Sequence, residues 1–156
     1  MFLIKKGVNI LIREFFICVV AVIFTAILFR APMRGILLSS LLGGVGYILF
    51  KILSSDSKSP IIAYFTATFF ITVFSEIFAR LLKMPATIFT VPAIIPLVPG
   101  IGLYRTMLNL VQNNGRASES GSITILAIVS IAMAMVMTSL LTKIINTLVN
   151  TSYKKL

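Results

Sequence analysis

The sequence predicts an all-α fold: a polytopic integral membrane helix bundle with four or five transmembrane spans and a proline-broken or re-entrant fourth segment. Three observations lead to this prediction. Of the 156 residues, 58% are hydrophobic, and the mean hydropathy is +1.07. Only 12% are charged, about half of the roughly 25% that soluble domains carry. The apolar residues also form five runs, and a spanning helix needs about 20 such residues.

These runs account for most of the chain, so residues 1–156 are predicted to form a single transmembrane domain. The loops between the runs are short, which leaves no room for a folded soluble domain and excludes a soluble globular enzyme. The expected spans and the broken segment cover residues 8–29, 35–52, 60–82, 87–111 and 122–147.

The charge pattern points to lipid as the main partner. Fourteen Lys and Arg residues against four acidic residues give a net charge of +10. The cations flank the apolar runs, where they meet lipid phosphates. A nucleic-acid-binding protein would gather them on one polar face, so no nucleic-acid partner is predicted. With five spans, seven cations fall on each side, and the positive-inside rule gives no orientation.

The second run carries small residues at helix-packing spacing. Ser39 and Gly43, and likewise Ser40 and Gly44, lie four residues apart. Small residues at this spacing allow two helices to approach closely in lipid. These four residues are therefore predicted to form a helix-packing face.

The third run places polar residues on one helical face, because Thr68, Thr72, Ser75 and Glu76 recur at spacings of three to four. The hydroxyl groups can bond to carbonyls of their own helix. A carboxyl group in an apolar run usually faces a partner or a cavity. Glu76 is thus either the partner of Arg80 in an ion pair at the helix end, or part of a transport pathway and a candidate proton-coupling group.

The fourth segment is apolar, yet it contains Pro92, Pro96 and Pro99 followed by Gly100 and Gly102. Each proline removes an N–H group and disfavours helix in the preceding residue. We therefore expect no regular helix across residues 91–100. Interrupted membrane segments mark substrate sites in many transporters, and the alternative is a kinked structural helix without a ligand.

A helix that resumes at Gly100 or Ile101 would present free N–H groups and a positive dipole end inside the membrane. Such an end suits a carboxylate. Arg105 would lie in the same half-helix, where it adds positive charge or reaches out to the interface.

Catalytic chemistry is poorly represented. The chain has no histidine and one cysteine, Cys18, and it contains no Walker motif and no paired intramembrane carboxylates. The usual nucleophile–base pairs need such groups. We therefore predict that the chain is not an enzyme and binds no metal and no cofactor.

The stretch from Phe89 to Gly100, followed by Tyr104, resembles the signature of the threonine/serine exporter (ThrE-like) family. The shared pattern is Phe-Thr, then Ile-Pro-x-x-Pro-Gly, then an aromatic residue about one turn later; Pro92 departs from it. The length and the five runs resemble the small, YjjB-like member of that family. The motif and the half-helix together predict substrate-binding residues Thr90, Pro96, Pro99, Gly100, Tyr104 and Arg105.

This resemblance implies a subunit of a secondary exporter for small carboxylate-bearing metabolites, either amino acids of the threonine/serine type or a dicarboxylate such as succinate. It also implies a partner, the larger YjjP-like half of the transporter, and a place in the cell (inner or plasma) membrane. A homo-oligomer is the other expected assembly. The alternative function is a non-transporting membrane scaffold or assembly factor.

Overall fold

A computed structural model of the chain describes residues 2–56, 59–112, 115 and 117–153, and the described part is helical without a strand. The helices are α1 (Phe2–Leu28), α2 (Met33–Asp56), α3 (Pro60–Leu82), α4 (Thr87–Ile94), a 3-10 helix (Ile95–Leu97), α5 (Gly100–Val111) and α6 (Ala117–Tyr153). The predicted all-α fold is confirmed. Four helices are long and apolar enough to cross a membrane, and the bent pair around the break gives up to five.

Helix α2 lies at the centre of the bundle and packs against α1, α3 and α4. Its glycines make these approaches close. A Cβ atom added at Gly43 would lie 2.8 Å from Val22 of α1 and 3.2 Å from the backbone of Ala93 of α4. On another side of α2, Gly46 faces Ile71 of α3. The absence of side chains at these glycines therefore sets the distance between α2 and each neighbour.

An ion pair fixes the antiparallel register of α1 and α2. Lys51 donates to the carboxylate of Glu14, and both side chains are partly buried. Glu14 lies near the middle of α1 and Lys51 in the last two turns of α2, so the contact aligns the two helices along their lengths. Because an unpaired charge is costly near hydrocarbon, the pair favours this register over its neighbours.

The hydrophobic core lies where α2, α3, α4 and α6 meet. Phe50 of α2 and Tyr64 of α3 have ring centroids 4.3 Å apart at its edge. The buried cluster of this core comprises Leu42, Ala67, Ile71, Ala93, Ile94, Leu97 and Ile131. Because these residues come from every spanning element except α1, the cluster ties the break to the rest of the bundle.

The broken segment differs from expectation at Pro92. We expected no regular helix across residues 91–100, but α4 continues through Pro92 to Ile94. One proline removes a single helical N–H bond, and its fixed φ angle is compatible with helix. Pro96 lies in the first turn of the 3-10 helix, where a missing N–H group is tolerated. The break is therefore confined to Val98 and Pro99.

The two parts of the segment, Thr87–Leu97 and Gly100–Val111, meet at an angle of 46°. A re-entrant hairpin turns back on itself, whereas a 46° bend leaves both parts running in the same general direction. The geometry thus favours one broken span over a re-entrant loop, and with it five crossings of the membrane.

Helix α5 pairs with the start of α6 through small and polar residues. A Cβ atom at Gly102 would touch the hydroxyl of Thr124, and one at Gly121 would lie 3.2 Å from Thr106. The Nδ2 atom of Asn109 lies 3.1 Å from the Oγ of Ser120. Later residue numbers on α5 meet earlier ones on α6, so the two helices form an antiparallel hairpin.

Replacing Gly43 by alanine should destabilise the bundle by about 1–3 kcal/mol, because the added methyl group meets side-chain and backbone atoms that cannot move aside easily. Thermal unfolding in detergent measures the effect. Gly115 is the matched control, since a Cβ atom there meets nothing within 4 Å. Equal unfolding midpoints for Gly43→Ala and Gly115→Ala would contradict the close packing of α2.

Candidate functional site

The helix break follows from the backbone preferences of Val98 and Pro99. Val98 has φ −59° and ψ 127°, the extended conformation that a following proline imposes. Pro99, at φ −75° and ψ 60°, is likewise outside the helical region and precedes α5. The helix resumes at Gly100, as the sequence predicts for this position.

The start of α5 presents unpaired backbone N–H groups. The N–H of Gly100 bonds to the carbonyl of Val98 at 2.7 Å, and that of Leu103 bonds to the carbonyl of Pro99 at 3.1 Å. Between them, the N–H groups of Ile101 and Gly102 have no hydrogen-bond partner among the described residues. The positive end of the helix dipole coincides with these free donors.

By helix length, the break divides a membrane-spanning segment near its middle. At 1.5 Å per residue, the part before it is roughly 16 Å long and α5 is roughly 18 Å long, so each covers about half of a 30 Å hydrocarbon layer. Unsatisfied backbone groups at this depth occur where protein or water covers them. The free N–H groups therefore need a cover that α5 itself does not supply.

Gly100 and Tyr104 share the face of α5 that points away from α6. They are four residues apart, one helical turn. A Cβ atom at Gly100 would meet no atom within 4 Å, and the Tyr104 side chain is 67% exposed. Arg105 is also exposed, on the flank of the same helix. These three predicted residues thus line one open surface beside the free N–H groups.

The other three predicted substrate-binding residues lie before or within the break. Pro99 is buried at the break itself, and Pro96 is half-buried in the 3-10 helix. Thr90 is half-buried on α4, about two turns before the break. Thr90 therefore lies on the other side of the break from Tyr104 and Arg105.

Two grooves of the described surface lie elsewhere and are almost wholly apolar. One is lined by residues of α1 and α2, among them Phe15 and Ile48. The other is lined by residues of α2 and α3, among them Leu49 and Phe69. Neither groove offers polar groups that would orient a small polar ligand, so the break remains the candidate site.

Glu76 is half-buried on α3 and lies away from the break along the bundle. Leu97 packs with Ala67 and Ile71, which precede Glu76 by about two and a half and one and a half turns. The ion pair with Arg80 that the spacing allows does not form: among the described residues, the ion pair is Glu14 with Lys51. Glu76 therefore keeps an uncompensated carboxyl group.

The predicted helix-packing residues are buried inside the chain. The hydroxyls of Ser39 and Ser40 donate to carbonyls of the preceding turn of α2. Gly43 meets α1 and α4, and Gly44 meets Phe15 of α1. The small-residue face is thus covered by helices of this chain and is not free to pack against a second chain.

Two polar contacts were not anticipated from the sequence. The Glu14–Lys51 pair joins residues 37 positions apart, and only the register of α1 on α2 reveals it. The polar contact of α5 with α6 had a signal, because Gly102, Thr106 and Asn109 recur at spacings of four and three. That spacing marks a polar stripe on an otherwise apolar helix.

Comparison with known proteins supports the resemblance seen in the sequence. No solved structure matches the chain. A family model described as "Threonine/Serine exporter, ThrE" matches residues 14–145, which include the break and all candidate residues. The match begins at Glu14 in α1 and ends within α6, so it covers most of the chain. The protein therefore belongs to the threonine/serine exporter family of multi-pass membrane transporters.

Proposed function

We propose that this chain is one subunit of a secondary exporter in the cell (inner or plasma) membrane. Its substrates are small carboxylate-bearing metabolites, either amino acids of the threonine/serine type or a dicarboxylate such as succinate. The observation that carries the proposal is a helix break midway along an apolar segment, in a chain of an exporter family. Broken helices of this kind hold substrates in many secondary transporters.

The chemistry of the break suits a carboxylate. The free N–H groups of Ile101 and Gly102 can donate to carboxylate oxygens, and the dipole of α5 favours negative charge at this end. Arg105 in the second turn of α5 adds a full positive charge on the exposed side. The hydroxyl of Tyr104, on the same face as Gly100, offers a donor or acceptor to a polar substrate group.

The open geometry supports a second chain in the working unit. Helix α5 has no buried residue and makes its extensive contacts with α6. Its opposite face, with Gly100 and Tyr104, is not covered by any part of the chain that the structure describes. Because free N–H groups in lipid are costly, another wall must complete the site. We assign that wall to the larger, YjjP-like half, and a second copy of this chain is the other arrangement to test.

Five crossings agree with this assembly. When one half of a transporter has an odd number of spans, the other half starts on the opposite side of the membrane and has the opposite orientation. An inverted-topology repeat requires this arrangement. The equal division of cations between the two sides leaves this half without a strong orientation of its own. A partner inserted first would then determine its direction.

The competing function is a non-transporting scaffold or assembly factor. A scaffold needs the close packing of α2 but has no use for an open helix end at mid-membrane. The two functions differ in ligand-dependent flux, because a scaffold supports none and its Gly100 variants alter assembly alone.

Co-expression with a candidate larger half should give efflux of threonine, serine or succinate that neither chain gives alone. Export is measured as loss of preloaded substrate from cells or vesicles, for each chain singly and for the pair. If the purified chain, monomeric in detergent and reconstituted alone, transports at the full rate, the two-chain proposal is wrong.

Gly100→Leu should reduce export about tenfold or more, because its side chain shields donors whose bonds to a charged group are worth about 1.5–3 kcal/mol each, and 1.4 kcal/mol is tenfold. Folding should be retained, since Gly100 faces open space. Gly115→Leu, also in open space, is the matched control for flux and assembly. Full flux in Gly100→Leu would remove the helix start from the site.

Glu76→Gln should abolish the pH dependence of export while leaving folding intact, because glutamine has nearly the same shape but cannot take up or release a proton. Glu119→Gln on α6 is the control, since Glu119 is an exposed acid in the first turn of that helix. Flux is measured over a series of imposed pH gradients. Unchanged pH dependence in Glu76→Gln would eliminate it as the coupling group.

A further inference from the structure

The interface between α3 and α6 contains a row of buried hydroxyl groups. Thr68, Thr72 and Ser75 lie on one face of α3, and Thr72 Oγ1 lies 2.8 Å from Thr138 Oγ1 of α6. Thr68 and Ser75 are both 0% exposed. We call Thr68, Thr72, Ser75 and Thr138 the hydroxyl row.

The two outer members of the hydroxyl row differ from the other buried hydroxyls. Ser130 and Thr124 donate to carbonyls of the preceding turn at 2.8 Å, and Thr72 and Thr138 do so as well. By contrast, Thr68 Oγ1 and Ser75 Oγ have no hydrogen-bond partner in the described part of the chain. Buried hydroxyls without partners are rare because each loses its bonds to water on burial.

The spacing of the hydroxyl row fits bridging water. The rise along the α3 axis is about 6 Å from Thr68 to Thr72 and about 4.5 Å from Thr72 to Ser75, more than the roughly 2.7 Å of a hydroxyl–hydroxyl hydrogen bond. In agreement with this, no direct bond joins Thr68 or Ser75 to Thr72. One water molecule between neighbouring hydroxyls spans about twice that distance and satisfies both.

Glu76 supplies an independent sign of hydration, since its half-buried carboxyl group has no ion-pair partner among the described residues. Helix α4 carries no charged residue. An unpaired carboxyl group in an apolar span needs water. None of the other charged side chains described on α3, or on the neighbouring helices α2 and α6, forms an ion pair with Glu76. These side chains are Arg34, Lys51, Arg80, Glu119 and Lys143.

We propose that the hydroxyl row binds a file of internal water molecules between α3 and α6 that ends at Glu76. The water donates to and accepts from Thr68, Thr72 and Ser75, and it hydrates the carboxyl group at the end of the row. The file itself stands on the packing of this chain. Its use as a proton route between Glu76 and the interior rests on the proposed export function.

Thiol labelling tests the file without any transport measurement. Thr68→Cys and Ser75→Cys are placed in a Cys18→Ala background and treated with methanethiosulfonate ethylammonium, a small cation that reacts with thiols in contact with water. Ala67→Cys is the matched control, because Ala67 is 0% exposed on the adjacent, apolar face of α3. Cys18 of the unaltered chain, itself buried, is a second control that needs no engineering.

We expect the labelling rate at positions 68 and 75 to be roughly tenfold higher than at positions 67 and 18. A tenfold difference corresponds to water contact at the two row positions being favoured by about 1.4 kcal/mol. Thr68→Val and Ser75→Ala provide a second readout in thermal unfolding. Each should lower the midpoint if its hydroxyl bonds to water, and raise it if the hydroxyl is dry and unpaired.

Labelling at 68 and 75 no faster than at 67, or a raised midpoint for Thr68→Val, would overturn the water file. Neither result depends on export, so a failure of the proposed exporter activity leaves this test intact. Conversely, a confirmed water file in a chain that supports no flux would refute the exporter proposal alone.

Discussion

The structure depends above all on one constraint, which is that hydrocarbon offers no partner for a backbone hydrogen bond. Continuous helices satisfy the constraint by themselves, and the long helices α1, α2, α3 and α6 do so. The interruption at Val98 and Pro99 does not, because it frees the N–H groups of Ile101 and Gly102. At the depth that the helix lengths give, these groups need a cover from protein or water.

Glycine and alanine determine where that interruption sits. Helix α4 closely approaches α2 at Ala93 against Gly43, about one turn before the break. Ala93, Ile94 and Leu97 belong to the central cluster, so the part before the break is held rigidly. The position of the helix start at Gly100 is therefore a consequence of small residues on α2, a different element from the one that carries the candidate site.

Sequence reasoning located most of the fold. Pro60 and Leu82 bound the third helix as predicted, since a proline suits the first turn and an apolar run needs a definite length. The restart at Gly100 was also predicted, because Pro99 cannot follow a helical residue comfortably. The helix through Pro92 was not, since the cost of one lost bond depends on the packing of Ala93 and Ile94 around it. That packing comes from distant segments.

The candidate site was less accessible to prediction than the fold. Periodicity placed Gly100 and Tyr104 on one face, but it could not show which face α6 would cover. The small residues of α2 gave the right chemistry for close packing and no indication that the partners were helices of the same chain. The Glu14–Lys51 contact depends on helix register, which hydrophobic patterns in a lipid-facing chain specify weakly.

The two parts of the broken segment are attached to different elements. The part before the break packs on α1, α2 and α3, whereas α5 packs on α6. Helix α6 in turn meets α3 across the hydroxyl row, where Thr72 and Thr138 share a hydroxyl–hydroxyl bond. A shift of the α5–α6 hairpin would move the free N–H groups together with Ile131, the α6 member of the central cluster, while Ala93, Ile94 and Leu97 stay on the other side of the break. Because the same shift alters the spacing of the hydroxyl row, the candidate site and the surroundings of Glu76 are mechanically linked through α6.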